Sequence, residues 1–298
     1  EKAALQGAAL MRERDGLTKN LVTGERVNDQ DVKGARLSLL LAPTDRFRAL
    51  LTADYLRERS TPGYPAPLVL DTTVGDPVLG PVPKTGDFFV TTSDIRDPQN
   101  DLDHWGVAAT LELDANDDLT LKAIASHRAL DNLLYMDTDG DVYRPTPSRV
   151  SMYHVYQDQE QSQSSLELQA VGKAVDSRLT YVAGLYGFRE RNEQDSISVI
   201  GVPALYGQSV ASAGRIDLTN IARESMTTDS YAAYLTGTFE VTDRLSFTTG
   251  LRYTRESKDF GNHVILPNGT VQVVCLNQRV TPAVQIRATP CTVADLAL

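Results

Sequence analysis

Residues 245–253 alternate strictly: Leu245, Phe247, Thr249, Leu251 and Tyr253 fall on one side, while Ser246, Thr248, Gly250 and Arg252 fall on the other. Successive side chains of a β-strand point to opposite faces, so this stretch reads as a strand separating an apolar environment from a polar one. The phrase recurs. Segments 42–55, 114–127, 173–186 and 240–253 each place an Asp-containing turn before an alternating strand, with Asp45, Asp117, Asp176 and Asp243 separated by 72, 59 and 67 residues. Those intervals are too uneven for a stacked solenoid and suit hairpins that share short turns at one end and carry loops of free length at the other.

Each turn is preceded by a second alternating run. The pattern predicts strands near 31–42, 46–58, 104–114, 118–130, 162–173, 178–190, 228–240 and 244–257, with others at 3–14 and after 270. The stretches 15–30, 59–103, 131–161 and 191–227 are rich in Gly, Pro, Asp, Asn and Ser and read as loops. Within the central windows of the eight strands the charged residues are Arg36, Arg48, Asp54, Glu112, Lys122, Glu167 and Arg252, and all lie on the phase opposite the leucines and phenylalanines. Aromatic residues fall near both ends of the apolar phase: Phe47, Phe239 and Phe247 close to the turns, and Tyr55, Trp105, Tyr231 and Tyr253 at the far ends. An apolar band free of charge and flanked by aromatic girdles is the grammar of a transmembrane β-barrel, in which a lipid-facing charge at mid-bilayer costs about 2–4 kcal/mol. A soluble β-sandwich also alternates, but it fits its strands within roughly 100 residues and seldom carries loops as long as 59–103.

Composition by itself hides this class. The 298 residues are 41% hydrophobic, and the mean hydropathy of −0.26 would pass for a soluble protein. No run of 18 apolar residues is present, which excludes a transmembrane helix but not transmembrane strands. A net charge of −10 argues against a nucleic-acid partner, which wants a basic stripe.

Candidate chemistry is sparse. Asp137, Asp139 and Asp141 have the spacing of a calcium loop, yet its twelfth position falls on Ser148 rather than Glu, so solvated loop residues are the expectation and no metal site is assigned. His104, His127, His154 and His263 are scattered without ligand spacing, and no nucleophile motif, zinc motif or phosphate-cradling Gly-rich loop occurs. No catalytic residue and no cofactor is expected. Cys275 and Cys291 lie in the last loop-like segment, and their number and spacing favour a disulfide over two free thiols if the chain passes an oxidising compartment.

The run 227–260, the segment 161–171 leading into 179–191, and residues 14–16 followed by 27–55 near the start together resemble the β-barrel domain of TonB-dependent outer-membrane receptors. The phrases are individually degenerate, but their order over most of residues 5–260 matches. The resemblance implies a 22-stranded barrel in the outer membrane of a Gram-negative bacterium, its lumen closed by an amino-terminal plug, with TonB, outer-membrane lipid and a small-molecule or chelate ligand as partners. Against that pattern the sequence opens at Glu1 without plug-like sequence or a TonB box and ends on VADLAL rather than an aromatic-terminated strand. The expectation is therefore that residues 1–298 form a partial barrel of nine or ten strands, an internal part of a longer receptor.

Three functions are compatible with this reading. The first is an energised receptor for a scarce solute such as an Fe³⁺–siderophore, a cobalamin or a glycan. The second is a passive porin or channel, and the third a barrel enzyme with groups converging at the rim. Arg36, Arg48, Lys122, Glu167 and Arg252 are the expected lumen-facing residues, whether they meet a ligand or line water.

Overall fold

The computed structural model describes residues 2–21, 23–63, 89–91, 93, 95, 97–138, 153–202, 216–217, 220–265 and 271–273. Fourteen strands occur among them: β1 (Ala3–Arg14), β2 (Thr18–Asn20), β3 (Arg26–Val27), β4 (Gln30–Thr44), β5 (Phe47–Ser60), β6 (Val90–Thr91), β7 (Gln99–Asn116), β8 (Leu119–Asp137), β9 (Tyr153–Ala174), β10 (Leu179–Val202), β11 (Ile216–Asp217), β12 (Asn220–Thr242), β13 (Leu245–Ile265) and β14 (Val271–Val273). The described residues contain no helix. One sheet runs β1-β4-β5-β7-β8-β9-β10-β12-β13-β14, with β11 added to β10, and every pairing in it is antiparallel. The long strands thus follow one another as an up-and-down meander, which places Asp45, Asp117, Asp176 and Asp243 at one end of the sheet. Backbone hydrogen bonds from Asp114 to Arg46, from Lys173 to Asp118 and from Glu240 to Arg178 stitch adjacent turns together.

The turns are built from their sequences. In NDDL and TDRL the residue before Asp folds its side chain back: Asn116 Oδ1 accepts the Asp118 N–H at 2.9 Å, and Thr242 Oγ1 accepts the Arg244 N–H at 3.3 Å. None of the paired turn residues Asp45, Arg46, Asp117, Asp118, Asp243 and Arg244 has positive φ, so these are not the primed turns that suit strand twist unaided. A register shift just before each of them (Leu41/Thr44, Asp114/Asn116 and Glu240/Thr242) supplies the local twist instead. The β9–β10 turn differs, because Val175, Asp176 and Ser177 all take left-handed φ.

The register also reveals the inclination of the strands. Tyr55 is linked across the ladder through Trp105, Ala129, Ser162, Arg191 and Thr227 to Asp259, six residues beyond the girdle residue Tyr253. At the turn end Phe47 is linked through Leu113, Leu121, Ala170, Ala183 and Leu235 to Leu251, again six residues beyond Leu245, which opens β13. Both ends of the band therefore drift by one residue for each strand crossed. A stagger of about 3.4 Å per strand spacing of about 4.8 Å corresponds to a tilt of roughly 35°, as strands of a barrel require.

The expected strand positions agree with this fold at the turn end and fall short at the other. Strands continue into stretches expected to be loops, to Asp137 in β8, back to Tyr153 in β9, out to Val202 in β10 and back to Asn220 in β12. Apolar alternation marks the membrane-crossing part of a strand, and the continuing ladder mixes polar residues with scattered apolar ones such as Leu134, Met136, Ile197 and Ile221. Residues 15–30 also hold β2 and β3, which join β6 in a separate small sheet in the order β3-β2-β6. That sheet buries Val27, Ile95, Asn20 and Thr91, with Asn20 and Ser93 exchanging hydrogen bonds. By contrast the main sheet buries only alanines, Ala49, Ala222 and Ala232, among its described apolar residues, while Leu251 is 78% exposed, Leu185 59% and Leu235 55%. A sandwich would bury these leucines against a second sheet, so that alternative fails.

Candidate functional site: the polar face of the sheet

Residues directly opposite in an antiparallel ladder share a face. Arg36 opposes Asp54, Arg48 opposes Glu112, Glu112 opposes Lys122, Glu167 opposes Ile124 and Tyr186, and Arg252 opposes Tyr234. All seven charged residues singled out from the sequence lie on one face, and the leucines at 39, 51, 111, 121, 168, 185, 235 and 251 lie on the other.

Several charges of that face are neutralised locally, while Arg36 and Arg252 have no carboxylate within 4.0 Å among the described residues. Glu112 sits between Lys122 Nζ at 2.6 Å and Arg48 Nε at 3.7 Å. Asp54 has Arg128 Nη2 at 3.7 Å and His104 Nδ1 at 3.8 Å. Arg128 reaches Asp54 across the whole of β7, and it does so over Gly106, where a Cβ would stand 3.1 Å from Arg128 Cγ. Three strands further on the device repeats. Tyr234 of β12 lies flat across Gly184 of β10 and donates its hydroxyl proton to Glu167 Oε1 of β9 at 2.5 Å; a Cβ on Gly184 would be 2.3 Å from the Tyr234 ring. Gln169 Nε2 also donates to Glu167 Oε1, at 3.1 Å. The Arg252 guanidinium is 5.6 Å from the centre of the Tyr234 ring and 5.9 Å from that of Tyr186, a double cation–π contact, while its Nε donates to Thr254 Oγ1 at 3.1 Å.

Charge was visible in the sequence, but these bridging residues were not. Tyr234, Tyr186, Gly184 and Gly106 carry no motif, and the only signal for them is a glycine directly opposite a long side chain on the neighbouring strand, with a carboxylate in phase one strand beyond. The polar face also contains apolar positions the charge pattern ignores: Leu40 opposes Leu50 there, 39% and 43% exposed.

The apolar face ends in a defined boundary. Tyr55 opposes Trp105, whose ring lies 5.1 Å from that of His127, and Tyr55 donates its hydroxyl to Asp103 Oδ1 at 2.5 Å. One pair further toward the loops the face turns ionic, with Arg59 bonded to Asp103 and 3.5 Å from Asp101. On the extended arms of β10 and β12, Arg223 donates two hydrogen bonds to the Asp195 carboxylate, at 2.7 and 2.6 Å. These bonds hold the Asp195 carboxyl below the usual carboxylate range and raise the Arg223 guanidinium.

Among the described residues no group of three His, Cys, Asp or Glu side chains converges as a metal site. Cys275, Cys291, Asp139 and Asp141 lie outside the described residues.

Comparison with known proteins fits this geometry. The family model described as TonB dependent receptor-like, beta-barrel, matches residues 36–289. No curated protein sequence matches the chain. Among solved structures, the ferric yersiniabactin uptake receptor FyuA from Yersinia pestis superposes with a TM-score of 0.57 at 19% identity, over 89% of this chain and 36% of its own. The ferric-catecholate import receptor Fiu from E. coli K12 gives 0.53 at 15% identity, over 97% of this chain and 41% of its own. The present chain thus spans well under half the length of those structures, and at these identities the likeness concerns the fold. With its family match over most of its length and a tilted meander that has one apolar and one polar face, the chain belongs to the TonB-dependent receptor-like β-barrel family.

Proposed function

We propose that this polypeptide is the wall of an outer-membrane receptor that takes up a scarce solute under TonB energisation and performs no covalent chemistry. The observation that supports it most is the division of the sheet: a leucine face exposed without a protein partner, bounded by Tyr and Trp, and an opposite face that carries the charges. In this reading the leucine face meets lipid and the polar face, with Arg36, Arg48, Lys122, Glu167 and Arg252, lines the lumen. Residues 1–298 form part of the barrel domain, and the plug and remaining strands belong to other parts of the receptor. The short turns face the periplasm and the long connections face outward, with Cys275 and Cys291 forming a disulfide in one of them.

The solved relatives are named for ferric yersiniabactin and ferric-catecholate uptake, which makes an iron chelate one candidate cargo. The decisive experiment compares uptake by cells producing the intact receptor with and without TonB. Solute accumulation is expected only when TonB and the membrane gradient are both present. Uptake unchanged by deletion of TonB would move the assignment to a passive channel, and hydrolysis of lipid or peptide by the purified barrel would move it to an enzyme.

A further inference from the structure

Strand β9 carries an unusual run. Gln157, Gln159, Gln161 and Gln163 occupy every second position, in phase with Glu167, and so lie on the polar face. Ser162 stands in the row that carries Tyr55 and Trp105, which places Gln157, Gln159 and Gln161 beyond that row on the loop side. Neighbouring strands add the same functional group: Asn132 of β8 opposes Gln159, and Asn192 of β10 opposes Gln161. All six carboxamides are half-buried, so the wall holds them in place while one side stays open.

Their hydrogen-bonding capacity is largely unused. Gln159 Nε2 donates to Asn192 Oδ1 at 2.8 Å, and Gln161 Nε2 donates to Glu190. A carboxamide has two N–H donors and an acceptor oxygen. Gln159 and Gln161 therefore each retain an oxygen and a second N–H, Asn192 retains both donors, and Gln157 and Gln163 make no side-chain hydrogen bond among the described residues. Apolar side chains border the stripe on both sides. Leu130 opposes Gln161 and Leu134 opposes Gln157 on β8, while Met226 of β12 opposes Asn192 and is itself opposed by Phe260 of β13, 51% exposed. A few mixed donor–acceptor groups set between apolar surfaces is the usual make-up of a small-molecule site.

Near the stripe the charges argue against an anionic cargo; Arg36 on β4 and Arg252 on β13, which have no carboxylate within 4.0 Å among the described residues, stand strands away from it. Lys122, Arg48, Arg128 and Lys258 on this face each have a carboxylate within 4.0 Å, and Glu190 and Glu224 flank the stripe.

We propose that this carboxamide stripe binds an uncharged solute with hydroxyl or amide groups and apolar faces. The proposal rests on the reading that the polar face lines the lumen, and it narrows the cargo to neutral species: a neutral oligosaccharide, or a metal chelate with no net charge and an amide or hydroxyl periphery. The test is calorimetric titration of the purified intact receptor with three probes: a neutral glucan oligosaccharide, a neutral ferric trihydroxamate and an anionic ferric tris-catecholate. One neutral probe is expected to bind, and which one identifies the source of the chemistry. Its affinity should fall at least tenfold in the Gln159→Ala/Gln161→Ala/Gln163→Ala variant. The single Gln161→Met variant, similar in length but unable to donate, guards against a folding artefact and should lose several-fold. Tighter binding of the anionic probe, failure of both neutral probes, or neutral binding indifferent to these variants overturns the proposal. Neutral binding that persists while uptake proves independent of TonB would sink the transport reading and leave this one standing.

Discussion

Gly184 shows how a single residue type sets the polar face. Side chains two strands apart are separated by nearly 10 Å of sheet, and Tyr234 spans that distance to Glu167 because nothing projects from position 184. A methyl group there would overlap the ring, so Gly184→Ala must expel Tyr234 from its bed and break its bond to Glu167. Overpacking of this kind costs about 1–3 kcal/mol, whereas Tyr234→Phe keeps the ring and forfeits only the hydroxyl's bond, about 1 kcal/mol. Urea unfolding of the intact receptor in lipid vesicles should rank the two variants in that order. Equal stability of Gly184→Ala and the parent would show that the ring does not need the gap.

At the scale of the strand, two contrasts were written into the sequence with different strength. The contrast between lipid and water is strong, so alternation and the charge-free phase located each membrane crossing, and the Asn/Thr-Asp turns fixed where the crossings begin. The outward continuations separate water from water, so their apolar residues, such as Leu134, Ile197 and Met226, are scattered and mark no strand, and only the ladder between β9, β10 and β12 shows that residues such as Gln157, Asp195 and Arg223 are strand residues. The facing itself can be tested by placing one charge on each side of β7. Leu111→Arg puts a guanidinium on the apolar face and should cost about 2–4 kcal/mol, less near the boundaries, while Thr110→Arg points to the polar face and should assemble normally. Heat-shifted gel mobility of the outer-membrane fraction reads both, and equal assembly of the pair would reverse or abolish the assignment of faces. The outer arms offer a test in pH. Because Arg223 lowers the Asp195 carboxyl in the folded arm, the pair's stabilisation is complete above the ordinary carboxylate value of 3.8 and is lost as pH falls through the lower folded value. Amide protection of the β10 and β12 ends, corrected for intrinsic exchange, should therefore hold from neutral pH to about 5 and weaken only in stronger acid. In Arg223→Gln it should already be reduced at neutral pH, and protection identical in both proteins would mean that the exposed pair contributes nothing.

The whole molecule makes sense only with a surrounding other than water on one face. Its main sheet leaves Leu251, Tyr253, Phe247 and Tyr231 among its most exposed residues, and the buried apolar side chains of any size, Val27 and Ile95, belong to the small sheet among the connections rather than to the wall. The two ends of the wall are also unlike. Short turns containing Asp45, Asp117, Asp176 and Asp243 close one end, and at the other the strands run on past the aromatic row as ladders that no bilayer requires. In the proposed reading, strand overhang of that kind belongs on the side where solute is captured, with the turns toward the periplasm. Single cysteines in a Cys275→Ser/Cys291→Ser background of the intact receptor test this directly. Arg191→Cys, on the loop side, should react with a membrane-impermeant maleimide added to whole cells. Asp243→Cys, in a turn, should react only after the outer membrane is permeabilised, and the same order should hold for Glu193→Cys against Asp117→Cys. Labelling of the turn cysteines in intact cells would invert the barrel, and would place the carboxamide stripe of β9 on the side from which no external solute arrives.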